Sequence, residues 1–208
     1  MLASLTQYFD KHVEHGHMLH EIIEGKTPLS LRLIDWFVTH YAKRNNVTYW
    51  LVPAATGDAF VGLTERFPVE HPHAKKFSVY LEYRSQLRAF SKHVFDPFRR
   101  HNRISFVTGV CGMNAPLIID TTVGQLNFFR WALHYRVIDY ILRNLSVIED
   151  DMSAFQQQRR SSAQKKQSKA SEASALMKPS RAVPKVSTTA AAAPLVQPRL
   201  LSSRIQFD

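Results

Sequence analysis

The sequence predicts an α+β fold: a mainly helical domain with a small, mostly antiparallel three-stranded sheet, followed by a disordered or extended C-terminal tail. Two observations favour this class. Long segments with apolar residues at helical spacing alternate with short runs of β-branched and aromatic residues. After residue 152, Leu, Ile, Val and aromatic residues give way to Gln, Ser, Ala, Lys and Pro. We therefore expect a folded domain over residues 1–152 and a basic low-complexity tail over residues 153–208.

About five helices are expected from apolar periodicity and from residues that favour helix ends. Gly25 ends a first helix that begins at Leu2, and Asn45 closes a second. Thr122 and Gln125 form a capping box, which opens a strongly apolar and long or kinked helix. The expected helical ranges are 2–24, 28–44, 78–94, 123–142 and a short one from residue 146.

Three strands are expected from short runs rich in β-branched and aromatic residues. The first is Val47–Val52, and the connection that follows it includes a predicted helical turn over Ala59–Arg66. The other two strands, Ile104–Val110 and Leu117–Asp120, are separated by a Cys-Gly-Met-Asn segment that is typical of a hairpin turn. The sheet should therefore contain at least one antiparallel pair.

Positive charge is concentrated in two places. The chain has a formal net charge of +10, and the tail contributes most of it, with ten Lys or Arg against two acidic residues. Within the domain, Lys75–Arg103 carries eight Lys or Arg against two acidic residues, so the rest of the domain is acidic overall. Such polarised charge favours phosphates, anionic surfaces or acidic protein patches without choosing among them.

The helix predicted over Ser78–Val94 offers the best candidate surface. Arg84, Arg88 and Lys92 follow one another at a spacing of four, so they should form one row on the helix, which we call the basic row. This row could bind a phosphate backbone, or it could pair with the acidic residues of the domain. The other cations predicted to bind nucleic acid or another anion are Arg99, Arg100 and Arg103 after the helix, and Arg159, Arg160, Lys165, Lys166 and Lys169 in the tail.

No sequence motif indicates an enzyme. His17 and His20 share a helical face with Glu21 and Glu24, which permits a divalent metal site, although a solvated polar face explains the same pattern. Cys111 lacks an activating neighbour and is more typical of a buried thiol than of a nucleophile. Phosphate-binding glycine loops, nucleophile elbows and zinc spacings are missing from the sequence. We therefore expect no catalytic residues, no cofactor and no metal.

The sequence also contains few features that indicate a cellular compartment. A single cysteine excludes an internal disulfide, and no stretch is long and apolar enough for a signal peptide or a membrane span. The last residues of the tail are more apolar than the rest of it, which is typical of a docking segment.

Three blocks of the sequence carry a resemblance: SLRLIDWFVTHYAKRNN, FSVYLEYRSQLRAFSKHVFDPFRRHNRISF and DTTVGQLNFFRWALHYRVIDYI. Together they resemble a protein family of large nucleocytoplasmic DNA viruses of the mimivirus, marseillevirus and chlorella-virus kind. The resemblance covers roughly Ser30 to Asp151 and omits the tail. It implies a viral origin, replication in or beside the host cytoplasm, and a late or virion role. It assigns no catalytic or binding residue.

Two functions are consistent with these features. The first is a non-enzymatic virion component, a minor capsid or core-associated protein that attaches to neighbouring capsid or core proteins through its domain and extended basic tail. The alternative is a nucleic-acid-binding protein of the viral core or late transcription machinery, which would contact DNA or RNA through the basic row and the tail. Either protein would be found in the virion and, during assembly, in the host cytoplasm.

Overall fold

The structure is a computed structural model. It describes residues 1–55, 59–108 and 116–176, with residues 163–176 as helical backbone only. The chain divides into two compact units, Met1–Ala163 and Gln164–Asp208. The predicted α+β class is confirmed, because the first unit combines helices with antiparallel strands. In the described ranges, no helix has both the length and the hydropathy that crossing a bilayer requires.

The first helical segment consists of two helices, α1 (Leu2–Lys11) and α2 (Val13–Ile23). His12 separates them because its backbone leaves the helical region, with φ −123° and ψ 71°. The prediction of one helix over residues 2–24 was therefore wrong at this position. The fully buried side chains of the two helices include Leu5, Phe9 and Leu19.

The second helical segment changes geometry along its length. It comprises α3 (Leu31–Trp36), a π-helical turn (Phe37–Tyr41) and α4 (Ala42–Arg44). Ser30 caps α3, since its hydroxyl accepts a hydrogen bond from the third helical amide at 3.1 Å. The helix therefore begins after its predicted start at Pro28. A π turn contains more residues than an α-helical turn. The residues of α4 are therefore shifted around the helix axis from the positions that an uninterrupted α-helix would give them.

A three-stranded antiparallel sheet is present, with different members from those predicted. Its order is β2–β1–β3, where β1 is Thr48–Pro53, β2 is Phe60–Thr64 and β3 is Lys75–Ser78. β1 matches a predicted strand. The helical turn predicted over residues 59–66 was wrong, because these residues pair with β1 as strand β2. The short run has no periodicity strong enough to oppose this pairing.

The predicted basic helix is α5 (Val79–Phe90), which follows β3 directly. It ends earlier than predicted because Ser91 adopts a positive φ of 60°. Its apolar side is half-buried against the core: the centroid of the Tyr83 ring lies 6.0 Å from that of Phe95 and 6.1 Å from that of Trp131. Arg84 and Arg88 lie on the exposed side of the helix, whereas Lys92 comes after its end, so the predicted helical spacing of the three cations holds only for the two arginines.

Strands β4 (Arg103–Thr108) and β5 (Leu117–Thr122) form a separate antiparallel pair. Both strands were predicted, but they do not join β1 in one sheet. Phe106 pairs with Ile119, and both side chains are buried on the inner face of this ribbon. The predicted turn at residues 111–114 lies outside the described residues.

Helix α6 (Val123–His134) lies in the core, and nine of its 12 residues are buried. The first half of the predicted capping box is confirmed, because the Thr122 hydroxyl accepts a hydrogen bond from the Gln125 amide at 3.1 Å. The reciprocal half is replaced, since the side-chain oxygen of Gln125 accepts from the Thr121 hydroxyl at 3.1 Å and not from the Thr122 amide. The Gln125 side chain donates to the Pro97 carbonyl at 2.9 Å, and Asn127 donates to the Val94 carbonyl at 2.9 Å. These bonds hold the segment after α5 against the core.

Helix α7 (Val137–Arg143) begins after a kink at Arg136, which has a positive φ of 58°. Tyr140 stacks on Tyr49 of β1 with ring centroids 5.4 Å apart. The predicted long or kinked helix is therefore two helices with a sharp change of direction between them.

Helix α8 (Leu145–Leu176) includes residues that the composition assigns to the disordered or extended tail. Residues 153–176 are helical, which corrects the expectation for this part, and residues 177–208 lie outside the described range. The Phe155 ring packs against the Trp36 ring with centroids 4.7 Å apart. The first unit therefore extends past the domain end predicted at residue 152.

Candidate functional site

The basic row lies on the solvent-exposed side of the fold. Arg84 and Arg88 of α5 are exposed, and so is Lys92 in the turn that follows. None of the three has an ion-pair partner among the described residues. Since side chains four residues apart on a helix are neighbours, the two arginines present adjacent positive charges. The sequence alone leaves open whether these cations pair with acidic residues of the domain.

A tyrosine ring joins the basic row to helix α4. Lys43 Nζ lies 5.5 Å from the centroid of the Tyr80 ring, and the guanidinium carbon of Arg84 lies 5.9 Å from it. Both distances fall within the range of cation–π contacts, worth about 0.5–1 kcal/mol at exposed sites. The ring therefore holds cations from two helices close together, and the positive surface extends to α4.

At its other end the basic row approaches Asp35. Burial raises the pKa of the Asp35 carboxyl and the charge of Asp96 raises it further, whereas His40 and Lys92 act in the opposite direction. Lys92 is thus close enough to a carboxyl to be partly compensated. Arg84 and Arg88 are the more available members of the row.

Arg159 of α8 adds another cation near Asp35. Its guanidinium carbon lies 5.9 Å from the centroid of the Phe155 ring. Both residues line a groove of about 180 Å³ that Asp35 also borders. Lys92 is the member of the basic row whose charge acts on Asp35. The other residues of the groove are Arg32, Trp36, His40, Met152 and Gln156.

The three arginines after α5 have different surroundings. Arg103 Nε donates to the Asp120 carboxylate at 2.9 Å, and the same guanidinium donates to the Asp120 carbonyl at 2.8 Å. This hydrogen bonding lowers the pKa of Asp120. Arg103 is therefore engaged within the β4–β5 ribbon. Arg99 is half-buried, with its stem beside Gly124, and Arg100 is exposed.

The remaining predicted cations lie on α8. Arg160 is exposed, whereas Lys165, Lys166 and Lys169 are described by their helical backbone alone. Cys111 lies outside the described residues. The structure therefore places Arg159 at the groove that Asp35 borders.

A second polar group gathers at the break between α1 and α2. His12 Nδ1 lies 3.6 Å from a Glu14 carboxylate oxygen, and His15 Nε2 lies 4.0 Å from the same oxygen. Both separations are too long for hydrogen bonds. The two imidazole rings stack with centroids 5.1 Å apart. We call these three residues the histidine–glutamate cluster.

Tyr8 orients one imidazole of this cluster. Its hydroxyl oxygen lies 2.7 Å from His15 Nδ1. Burial lowers the pKa of His15 to about 4, although Glu14 acts to raise it. Burial also raises the pKa of the Tyr8 hydroxyl. Near neutral pH the pair therefore consists of a neutral imidazole and a neutral phenol, and His15 Nε2 faces Glu14.

A pocket of about 300 Å³ adjoins the cluster, and its lining includes Tyr8, His12 and Lys11. Arg130 also lines the pocket, where its guanidinium donates to the Ser4 hydroxyl at 3.3 Å and to the Asn127 side-chain oxygen at 2.9 Å. Both acceptors are neutral, so these hydrogen bonds do not neutralise the charge of Arg130. The pocket is suited to a small anion or to polar solvent.

The sequence did not predict this cluster. It pointed to His17, His20, Glu21 and Glu24, whose side chains do not converge within the part of the chain that the structure describes. The break at His12 explains the difference, since it places Glu14 beside two imidazoles that a single straight helix would separate from it. The dense His-Val-Glu-His spacing was the available signal.

Comparisons with known proteins point to one family. The model described as Family of unknown function (DUF7197) matches residues 1–65 and 66–197. The protein named Uncharacterized protein L507, from Acanthamoeba polyphaga mimivirus, is 30% identical over 169 residues, which is 81% of this chain and 58% of the mimivirus protein. The chain thus spans less than two thirds of that relative's length. No solved structure matches. The predicted resemblance to a giant-virus family is confirmed.

Proposed function

The chain belongs to the DUF7197 family and is similar to a mimivirus protein, and we propose that it is a non-enzymatic component of the virion. In this proposal it is a minor capsid or core-associated protein. It attaches to neighbouring capsid or core proteins through its folded domain and its basic tail.

One observation carries this proposal: Arg84 and Arg88 are exposed, adjacent and without an ion-pair partner among the described residues. The sequence contains 17 acidic residues that could have neutralised them. Uncompensated charges side by side repel each other and attract a surface of opposite sign. Lys43, which contacts the same Tyr80 ring as Arg84, adds to this positive surface, which supports attachment to an acidic partner.

The same surface supports a second candidate, a nucleic-acid-binding protein of the viral core or late transcription machinery. Here the supporting observation is the mixture of cations and rings: Tyr80 beside Arg84, and Phe155 beside Arg159. Proteins that bind nucleic acids commonly combine phosphate-contacting cations with aromatic side chains that stack on bases. The phosphates of DNA or RNA could neutralise the basic row, just as the carboxylates of an acidic protein could.

A salt-dependence experiment separates the two candidates. Binding of the protein to labelled duplex DNA and to single-stranded RNA is measured by fluorescence anisotropy across a salt series. If nucleic acid is the partner, Arg84→Ala/Arg88→Ala should weaken binding to all sequences and reduce the salt slope by about 2, because two phosphate contacts are lost. The double variant Lys26→Ala/Arg66→Ala is the matched control, since it removes two exposed cations elsewhere.

Purified particles provide the complementary measurement. A virion component should be retained at near-stoichiometric amounts after nuclease treatment, as judged by mass spectrometry of separated shell and core fractions. Absence from purified particles would overturn the virion proposal. Equal salt slopes for the Arg84→Ala/Arg88→Ala and control variants would overturn the nucleic-acid candidate.

A further inference from the structure

We propose that His12, Glu14 and His15 form a binding site for one divalent transition metal ion of the Zn²⁺ class. This site is independent of the basic row and of the proposed attachment function. Among the described residues, these three bring one ligand atom each to within 4.8 Å of the other two. They are two imidazole nitrogens and one carboxylate oxygen.

The two distances from the Glu14 oxygen to the imidazole nitrogens are somewhat longer than those around a tetrahedral ion. Metal–ligand bonds of about 2.0–2.1 Å place ligand atoms roughly 3.3 Å apart. The observed separations from the Glu14 oxygen are 3.6 Å to His12 and 4.0 Å to His15. Both imidazoles are largely buried, with 19% and 15% of their side chains exposed, whereas the Glu14 side chain is 70% exposed. Because the Glu14 side chain is exposed, its carboxylate has room to move towards an ion held by the two imidazoles.

Tyr8 supplies the supporting contact that metal-binding histidines usually have. A ligating imidazole commonly donates its other N–H to an oxygen, which fixes the ring and the tautomer. The Tyr8 oxygen lies 2.7 Å from His15 Nδ1 and can accept this hydrogen bond. The Nε2 lone pair of His15 is then directed towards Glu14. Tyr8 is accordingly a positioning residue for the site.

The chemistry of the ligands selects the class of ion. Imidazole nitrogen favours zinc, cobalt, nickel, copper or iron(II), whereas magnesium and calcium favour sets made of oxygen atoms alone. Three protein ligands leave a fourth position for solvent or a small anion. His12 also lines the pocket that contains Lys11 and Arg130, so an anion at this fourth position would lie in a positively charged environment.

The site spans the break between α1 and α2. His12 is the residue between the two helices, and the other two ligands lie in the first turn of α2. A bound ion would therefore fix the angle at which the helices meet. This role requires no turnover and is compatible with a protein that is not an enzyme.

The test uses the full chain, freed of metal with a chelator and then titrated with Co²⁺, whose visible absorption reports its coordination. Zn²⁺ should displace the bound Co²⁺. We expect one ion per chain, and binding at least about tenfold weaker in Glu14→Gln and in His12→Ala, since each loses one ligand. Tyr8→Phe should weaken binding while preserving the spectrum, because the ligands themselves remain.

The matched control is His17→Ala/His20→Ala, which removes two nearby histidines of α2 that are not in the cluster. It should bind Co²⁺ like the unmodified chain. Circular dichroism of the metal-free variants checks that they fold. If a histidine variant does not fold, Glu14→Gln still tests the site, because Glu14 is exposed and its replacement should not disturb the fold. The proposal is overturned if no stoichiometric Co²⁺ binding occurs, or if the control variant weakens binding as much as Glu14→Gln does.

Discussion

Gly16 shows how a single residue sets the distance between two elements. A side chain added at this position of α2 would place its Cβ 2.9 Å from Thr108 Cγ2 and 3.1 Å from Thr108 Oγ1. Thr108 is buried and its hydroxyl donates to the Phe9 carbonyl at 3.3 Å, so it cannot easily move away. The glycine that weakens the helix is therefore required for the close packing of α2 against β4.

This close packing predicts that Gly16→Ala destabilises the protein. Alanine improves helix propensity by about 1 kcal/mol, but overpacking typically costs about 1–3 kcal/mol. We expect a net loss in the free energy of unfolding, measured by urea denaturation. Adding Thr108→Ser should recover part of the loss, because it removes the nearest methyl group.

Gly62→Ala is the control, since nothing lies within 4 Å of an added Cβ at that position. It should leave the free energy of unfolding nearly unchanged. A Gly16→Ala variant more stable than the unmodified protein would contradict the proposed contact.

At the scale of elements, one carboxylate attaches α8 to the second helical segment. Asp151 forms an ion pair with Arg44 of α4 and accepts a hydrogen bond from the Trp36 indole N–H at 3.2 Å. Trp36 is buried, so its N–H depends on this partner. Nothing in the local sequence of α8 identifies Asp151 among its acidic neighbours.

The prediction is that Asp151→Ala lowers the free energy of unfolding by about 2 kcal/mol. It leaves the buried indole N–H unpaired, which costs about 1–3 kcal/mol, and removes a half-exposed ion pair of small value. Asp151→Asn should lose less, because an amide oxygen can still accept from Trp36. Urea denaturation monitored by tryptophan fluorescence measures both variants.

The neighbouring Asp150 is exposed and gives the matched control. Asp150→Ala should change stability by no more than a few tenths of a kcal/mol, as is usual for surface substitutions. If Asp150→Ala and Asp151→Ala were equally destabilising, the contact with Trp36 would not be what attaches α8.

At the scale of the whole molecule, the end of the folded domain can be tested by truncation. The first compact unit ends at Ala163, whereas the composition shift predicted an end at residue 152. A chain of residues 1–163 should unfold at the same temperature as the full chain. A chain of residues 1–152 loses the Phe155 ring, which packs on Trp36 and His40, and should be less stable by about 1–2 kcal/mol, since the ring is half-buried.

Thermal unfolding followed by circular dichroism compares the three chains. Equal midpoints for the two truncated chains would place the end of the stable domain at the composition shift. A lower midpoint for residues 1–163 than for the full chain would show that residues beyond Ala163 contribute to stability.

The sequence predicted those parts of the fold that local physics controls. The Thr122–Gln125 cap, strand β1 and the apolar side of α5 follow from hydrogen-bonding residues and periodicity within a few positions. Strand β2 could not be predicted in this way, because its pairing with β1 stabilises a segment whose own pattern is weak.

The candidate sites likewise contain features that the local sequence predicts and features that only the tertiary structure decides. The positions of Arg84 and Arg88 in one row follow from helical spacing alone. Whether carboxylates neutralise them depends on which surfaces the fold brings near α5. Arg103 illustrates this, since its pairing with Asp120 is set by the register of the β4–β5 ribbon.

By itself, the sequence determined the fold class, the family and the concentration of positive charge, because these depend on composition, periodicity and the order of residues. The tertiary structure decided which cations remain exposed and where histidine and carboxylate side chains meet. His12 makes the difference clear: its break between α1 and α2 brings Glu14 to two imidazoles. That arrangement depends on tertiary structure because both helices pack on a common core.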